Sequence, residues 1–421
     1  MSSTLQKRVL SLFKQDFPRK IVNSWRIRDN SSRQFHQASK THLLRCKTDS
    51  LLSECLRSAT ANVQTSHFAS QSTVVTSKDE TRELMALWPD IVRDLTDAGR
   101  HLDMSDATKW LAKVLQYNVP TGKKIRALMV VRAYKSLVPE DQLTEENLRL
   151  VRILGWCTEL LQSFFLVMDD VEDQSKDRRG QPCWHACDGV GLTAINDSVL
   201  LQMSLFQLLK KHFKSKDCYG NLQEFFLDTI FKTSIGQCLD MLGMNLGKKP
   251  NLDVFTMDRY NAIVKYKTAY YSFVLPVTAA MYFAGIKDPE MYRQAKTILL
   301  EMGHYYQVQD DYLDCYGNSK VTGKTTKLDI VDGKCSWLVV VALQRVTDKQ
   351  RKILDECYGV DDEEKVNRVV ELYNELGLPN TYSIYEDETY NLLHTHIQQI
   401  SRGLPHEIFL KILELYYRRV T

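Results

Sequence analysis

Two short acidic stretches limit what this chain can fold into more than any other feature. Asp169-Asp170-Val171-Glu172-Asp173 and Asp310-Asp311-Tyr312-Leu313-Asp314 both read D-D-x-x-D. In each, the first and last Asp are four residues apart, which on a helix places them on one face, one turn above the other. Carboxylates gathered this way repel one another unless something cationic sits between them. Hard divalent cations such as Mg²⁺ take oxygen ligands and often share them with phosphates. The pair therefore predicts two helices facing each other across a metal–diphosphate site. A single motif reads as a solvated helix end. Two of them, each closing an apolar helix and each with a Gln ahead of it on the same side (Gln162 and Gln307), do not fit that reading. Calcium-loop chemistry is excluded, because the Gly and the flanking spacing of such loops are missing.

At 421 residues the chain can bury a large core in one or two domains. With 44% hydrophobic and 25% charged residues it falls in the soluble globular class. A net charge of +3 provides no general nucleic-acid-binding surface, so no nucleic-acid partner is expected. The ten Cys show no regular spacing, which points to a reduced compartment rather than a disulfide scaffold. Cys183-Trp184-His185-Ala186-Cys187 has no second ligand pair at metal spacing, so zinc is not expected there. No apolar run reaches the length of a bilayer span; Trp337–Leu343 is too short and reads as a buried helix turn.

Residues 1–76 differ from the rest. The first 57 hold twelve Lys/Arg against four acids, and the remainder of the chain is net acidic. Val9, Leu10, Leu12 and Phe13 lie between Lys7-Arg8 and Lys14, a short basic amphipathic pattern. Basic, Ser-rich and acid-poor describes an organelle transit peptide, so a mitochondrial address is expected; a disordered extension of a cytoplasmic protein is the alternative. From Ser77 the periodicity is helical. Helices are predicted at 106–117, 128–137, 145–173, 193–213, 221–243, 256–284, 288–316, 335–346, 362–376, 381–402 and 406–419, with Pro276 kinking its helix rather than ending it. No strand-period segment of useful length and no repeat is found. The expected fold is all-α, a bundle of ten or more helices over 77–421 around a deep central cavity that holds the chemistry.

Cations complete the pattern. Lys123, Arg126, Arg178, Arg179, Lys267, Lys324 and Lys334 lie in loops or mid-helix beside apolar sequence. Arginine binds phosphate in a bidentate way, so the adjacent Arg178-Arg179 pair can serve two separate phosphate groups. Two acidic motifs with these cations predict sites for two diphosphates, one bound through metal and one directly. Phe164 and Phe165, about one turn before Asp169, are placed either to end the cavity as a floor or simply to fill the core.

These residues carry a resemblance. Phe164-Phe165-Leu166-Val167-Met168-Asp169-Asp170, Arg178-Arg179-Gly180-Gln181-Pro182-Cys183-Trp184, Gly236-Gln237, Lys265-Tyr266-Lys267-Thr268-Ala269, Gln307–Asp314, Val321-Thr322-Gly323-Lys324 and Lys334-Cys335-Ser336-Trp337 resemble the trans-isoprenyl diphosphate synthases, most of all the eukaryotic farnesyl diphosphate synthases. The resemblance implies Asp169, Asp173 and Asp310 as ligands of three Mg²⁺, with Asp170, Asp311 and Asp314 in support. It implies that Arg178, Lys267, Thr268, Gln307, Lys324 and Lys334 contact the allylic substrate, dimethylallyl or geranyl diphosphate. Lys267, Thr268 and Gln307 would also face the reacting carbon. Lys123, Arg126, Gln162 and Arg179 would hold isopentenyl diphosphate, and Arg418-Arg419 would close over it. A homodimer is expected. The chain departs from the family at Ile125 and Ala127, where Asn and Gly are usual, at the one-residue-longer Thr325–Asp329 loop, and at Glu172, where an apolar residue is commoner. A geranyl or geranylgeranyl diphosphate synthase, or a weakly active regulatory paralogue, are the alternatives.

Overall fold

The long helix Glu145–Glu172 sets the frame. Thr144 caps it by accepting the Asn147 N–H, Glu145 and Glu146 favour its positive end, and it stops at Asp173, the last residue of the first acidic motif. In this computed structural model, which describes residues 79–100, 104–244, 249–317 and 326–417, the helix is buried on nearly every side from Leu150 to Ser163. Its neighbours are Thr193–Phe213 and Ile125–Leu137. The transit peptide expected at 1–76, Lys324 and Thr325, and Arg418-Arg419 lie outside the described residues. By length and composition this helix could cross a membrane, against the expectation that no segment reaches that length; its apolar surface is instead consumed by the core.

The second acidic helix, Pro289–Tyr316, starts at Asp288, whose carboxylate accepts the Glu290 N–H, with Pro289 at the position where a missing N–H costs nothing. It packs against Leu378–Gln398 and against a widened segment, Val264–Val274. Through that segment the helix predicted at 256–284 continues past Pro276. Met257–Ile263, Val264–Val274 and Leu275–Phe283 follow one another without interruption, but the middle section is π-helical. The Leu275 N–H reaches back five residues to the Tyr270 carbonyl, and Pro276, lacking an N–H, opens the α-helix that follows. Glycines permit this packing. A Cβ on Gly236, from helix Tyr219–Met244, would collide with the Lys267 backbone, and one on Gly303 would collide with Ala269.

Two further elements were not anticipated. Asp348–Cys357 is a helix with a capping box between Thr347 and Gln350; it buries only Leu354 and Cys357, so its apolar period is faint. Asp177–Arg178 pairs with Gln181–Pro182 as a minimal hairpin. Its two turn residues, Arg179 and Gly180, both have positive φ (58° and 77°), as a type I′ connection requires. The described architecture is otherwise all-α.

Candidate active site

The first acidic motif meets cations of the chain itself. Asp169 Oδ1 lies 3.2 Å from Lys267 Nζ and accepts Gln237 Nε2 at 3.0 Å. Asp169 Oδ2 is 3.4 Å from Arg178. Burial by itself would push the Asp169 carboxyl up, but Lys267, Lys334 and Arg178 together outweigh it and hold it well below the usual carboxylate range. Asp173 Oδ2 accepts Lys334 Nζ at 2.7 Å. Lys267 is also held by Asp240, 2.6 Å away. Glu172, the departure from the apolar position, shares Gln237 with Asp169, accepting Nε2 at 2.7 Å.

On the facing helix the carboxylates are crowded. Burial pushes Asp311 up to about 7 and Asp314 up to about 6, and Asp310 adds to both. Asp329 is raised as well, by burial and then by Asp314 and Asp311. Asp314 caps the short helix Leu328–Asp332 by accepting the N–H groups of Leu328 and Asp329, at 3.3 and 3.0 Å. Lys327, just before that helix, turns with a φ of 67°. Excess negative charge among oxygen donors is the condition that a hard divalent cation relieves, so this donor set fits Mg²⁺. Among the described residues no three His, Cys, Asp or Glu side chains already converge as a closed metal site. Lys267, Arg178 and Lys334 occupy the positive role.

The second Asp of each motif turns away from the gap and holds other groups in place. Asp170 Oδ1 accepts Arg178 Nε at 2.7 Å. Asp311 accepts Gln307 Nε2 at 2.8 Å and the Trp337 N–H at 2.7 Å. The Trp337 bond anchors the Lys334–Trp337 strap. Gln307, so oriented, receives the Thr268 hydroxyl on Oε1 at 2.9 Å.

The hairpin sends its two arginines opposite ways. Arg178 faces the acidic helix, whereas Arg179 Nη1 donates to the Thr121 carbonyl at 2.8 Å. Arg126 donates to Ser272 Oγ at 2.6 Å and to Tyr271 OH at 3.2 Å, and its guanidinium lies 4.6 Å from the centre of the Tyr271 ring. Its Nε is buried without a partner. Gln162 is buried on the first acidic helix, and Lys123 precedes the helix that carries Arg126. Ala127 fits where the family has Gly because Gly155 faces it: a Cβ there would come within 3.1 Å. Ile125 packs against the core. The Phe164 and Phe165 rings are tilted against each other with centroids 4.4 Å apart, and Phe165 continues to Tyr271 at 5.9 Å.

Sequence reasoning did not assign Gln237, Asp240, Lys124, Glu159, Tyr271 or Ser272. Gln237 belongs to Gly236-Gln237, one of the stretches that carry the resemblance, and Asp240 follows it by three residues, so that signal was available. Glu159 and Lys124 carried none, since a lone Glu in an apolar helix acquires meaning only from what faces it.

The sequence profile described as polyprenyl synthetase matches residues 108–376. A protein named farnesyl pyrophosphate synthase from Murgantia histrionica is 52% identical over 343 residues, covering 82% of this chain and 83% of its own. One of the same name from Gallus gallus is 50% identical over 341 residues, covering 81% and 92%. The solved structure of T. brucei farnesyl diphosphate synthase complexed with the bisphosphonate BPH-722 superposes with a TM-score of 0.76 at 29% identity, covering 81% of this chain and 100% of that one.

Proposed function

The chain belongs to the polyprenyl synthetase family, and from that premise we infer that it is a prenyltransferase of the farnesyl diphosphate synthase type. It condenses isopentenyl diphosphate head-to-tail with dimethylallyl diphosphate and then with geranyl diphosphate. The observation that carries this reading is the pair of acidic jaws: Asp169 and Asp173 held by Lys267, Arg178 and Lys334, and a second cluster in which burial and mutual repulsion raise Asp314 and Asp329.

Asp169, Asp173 and Asp310 would hold Mg²⁺, three ions in all, with Asp170, Asp311 and Asp314 behind them. Bound there, Mg²⁺ supplies Lewis-acid stabilisation of the charge that develops on the departing diphosphate. Arg178, Lys267, Lys334 and Lys324 grip that same diphosphate and fix the allylic C–O bond in line. The Thr268 hydroxyl donates a hydrogen bond to Gln307 Oε1, so its oxygen lone pairs are left for the allylic cation. The isopentenyl double bond attacks C1 of that cation. The proton lost afterwards goes to the released diphosphate. Lys123, Arg126, Gln162 and Arg179 hold the isopentenyl diphosphate, and the surrounding apolar walls keep water from quenching the cation. Phe164 and Phe165 form the floor that stops growth at fifteen carbons.

A homodimer is supported by exposed apolar side chains on two neighbouring helices. Leu192, Ile195, Val199 and Met203 line one; Leu227, Phe231, Ile235 and Leu242 line the other, at helical spacing. A second copy would remove this stripe from water, and light scattering on the purified chain measures it. The basic leader at 1–76 supports a mitochondrial address, and a reporter fused to those residues tests it: diffuse cytosolic signal alone rejects it. The deciding assay is incubation with isopentenyl and dimethylallyl diphosphates and Mg²⁺, followed by product analysis. No product from folded chain would sink the prenyl-transfer reading.

A further inference from the structure

Beneath the cations assigned to isopentenyl diphosphate lies a buried ion pair. Lys124 Nζ is 3.6 Å from Glu159 Oε2, and their side chains are only 1% and 3% exposed. Lys124 sits in the left-handed region with a φ of 54°, which a side chain bearing a Cβ adopts reluctantly. From there its ammonium donates to the Thr121 carbonyl. Arg179, itself left-handed, donates to that same carbonyl and to Thr121 Oγ1 at 3.1 Å. Gly122 leaves room for this approach, because a Cβ there would run into the Arg179 guanidinium. Glu159 also holds backbone: its Oε1 accepts the Ala127 N–H at 3.1 Å, at the start of the helix that carries Arg126.

The pair therefore joins the mounts of two cations from different elements. We propose that Lys124 is a positioning residue for isopentenyl diphosphate: held on Glu159, its ammonium pins the Thr121 carbonyl from below and so sets where Arg179 meets the diphosphate. This rests on the prenyl-transfer reading above. Two buried charges that neutralise each other are fixed in place, and removing one leaves the other to recruit a new partner. Without Lys124, the Glu159 carboxylate would face Arg126 and Arg179 alone and draw them away from the ligand. The net positive charge of the set would fall by one as well. Burial brings the Lys124 ammonium down to about 8. Glu159 on the acidic helix opposes this, while Arg179 on the hairpin and Arg126 on its own helix add to it. The positioning charge is thus lost as pH rises through about 8, whereas an Arg in its place would stay charged.

The experiment uses the full chain with Lys124→Met, Lys124→Arg and the double change Lys124→Met with Glu159→Gln, which removes both buried charges together and safeguards folding. KM for each substrate is followed from acidic to alkaline pH, with melting as the folding check, and isopentenyl diphosphate alone is titrated by calorimetry. In Lys124→Met and in the double variant, KM and Kd for isopentenyl diphosphate rise about tenfold, as for one lost charge-assisted contact, with allylic KM within about twofold. In the native chain the isopentenyl KM climbs above pH 8, and Lys124→Arg abolishes that climb. Unchanged isopentenyl binding in folded Lys124→Met, an equal rise for both substrates, or an alkaline climb that survives in Lys124→Arg each overturns the proposal. A native chain that binds isopentenyl diphosphate without forming product overturns the prenyl-transfer reading instead, and the calorimetric comparison still decides this one.

Discussion

The Lys334 ammonium lies 2.7 Å from the Asp173 carboxylate, although the two are 161 positions apart in the chain. An ammonium from the strap after the second acidic helix thus closes on the last Asp of the first. Replacing Lys334 by Ala leaves Asp173 buried beside Asp169 with its nearest cation gone. We expect kcat/KM for the allylic substrate to fall about 100-fold, the typical loss for one preorganised charge at a leaving group. Steady-state kinetics at saturating Mg²⁺ measures it.

Asp169 and Asp170 are neighbours with separable effects. Asp170→Ala releases Arg178, so allylic KM should rise about tenfold, the scale of a lost charge-assisted bond, while apparent Mg²⁺ affinity stays near native. Asp169→Ala should instead raise the Mg²⁺ requirement. Mg²⁺ titrations of both variants separate the two, and an equal Mg²⁺ defect would show that Asp170 also binds metal.

Gly236→Ala places a methyl group on the backbone of Lys267. The helix must move away from the π-helical segment, at a cost of about 1–3 kcal/mol as for other overpacked cores. A lower melting temperature with a larger loss in kcat is expected, because Lys267 and Thr268 ride on the displaced segment. Melting curves and kinetics on one preparation test this.

Asp314 and Asp311 are pushed up by burial to about 6 and about 7. Raised folded values mean that, in the metal-free chain, these groups bind more protons than in the unfolded chain above the usual carboxylate range. Their contribution to stability is therefore complete below about pH 4 and lost as pH rises through 6 to 7. Cation binding favours the ionised carboxylates and should release protons near pH 6.5. Calorimetry with Mg²⁺ and inorganic pyrophosphate in buffers of different ionisation enthalpy reads that release, and buffer-independent heats would contradict it.

The Phe164 and Phe165 rings lie 4.4 Å apart, tilted by 42°, about one turn before Asp169 on the first acidic helix. Phe164→Ala opens space for another five-carbon unit, so products longer than fifteen carbons are expected by mass spectrometry. An unchanged product length would place the floor elsewhere.

The helices around both motifs were legible because each depends on a repeat of three and four residues within one segment, as do Asp169 with Asp173 and Asp310 with Asp314. The Asp348–Cys357 helix escaped because it buries too little to leave a period. The π-helical stretch escaped because Pro276 marks a break in hydrogen bonding without saying which wider pattern replaces it.

The sequence by itself determined the local geometry and the inventory of charge: two acidic helix ends, a set of cations in loops and mid-helix, and an all-α frame. Only the tertiary structure decided which charges meet. Lys334 with Asp173, Lys267 with Asp240, Arg178 with Asp170 and Lys124 with Glu159 bring together residues from separate elements. Adjacent Arg178 and Arg179 part company because a positive-φ turn points them to opposite sides. The physical reason is that helical periodicity is a property of neighbouring residues, whereas the strength of a charge pair depends on distance and burial, which exist only once the helices have packed.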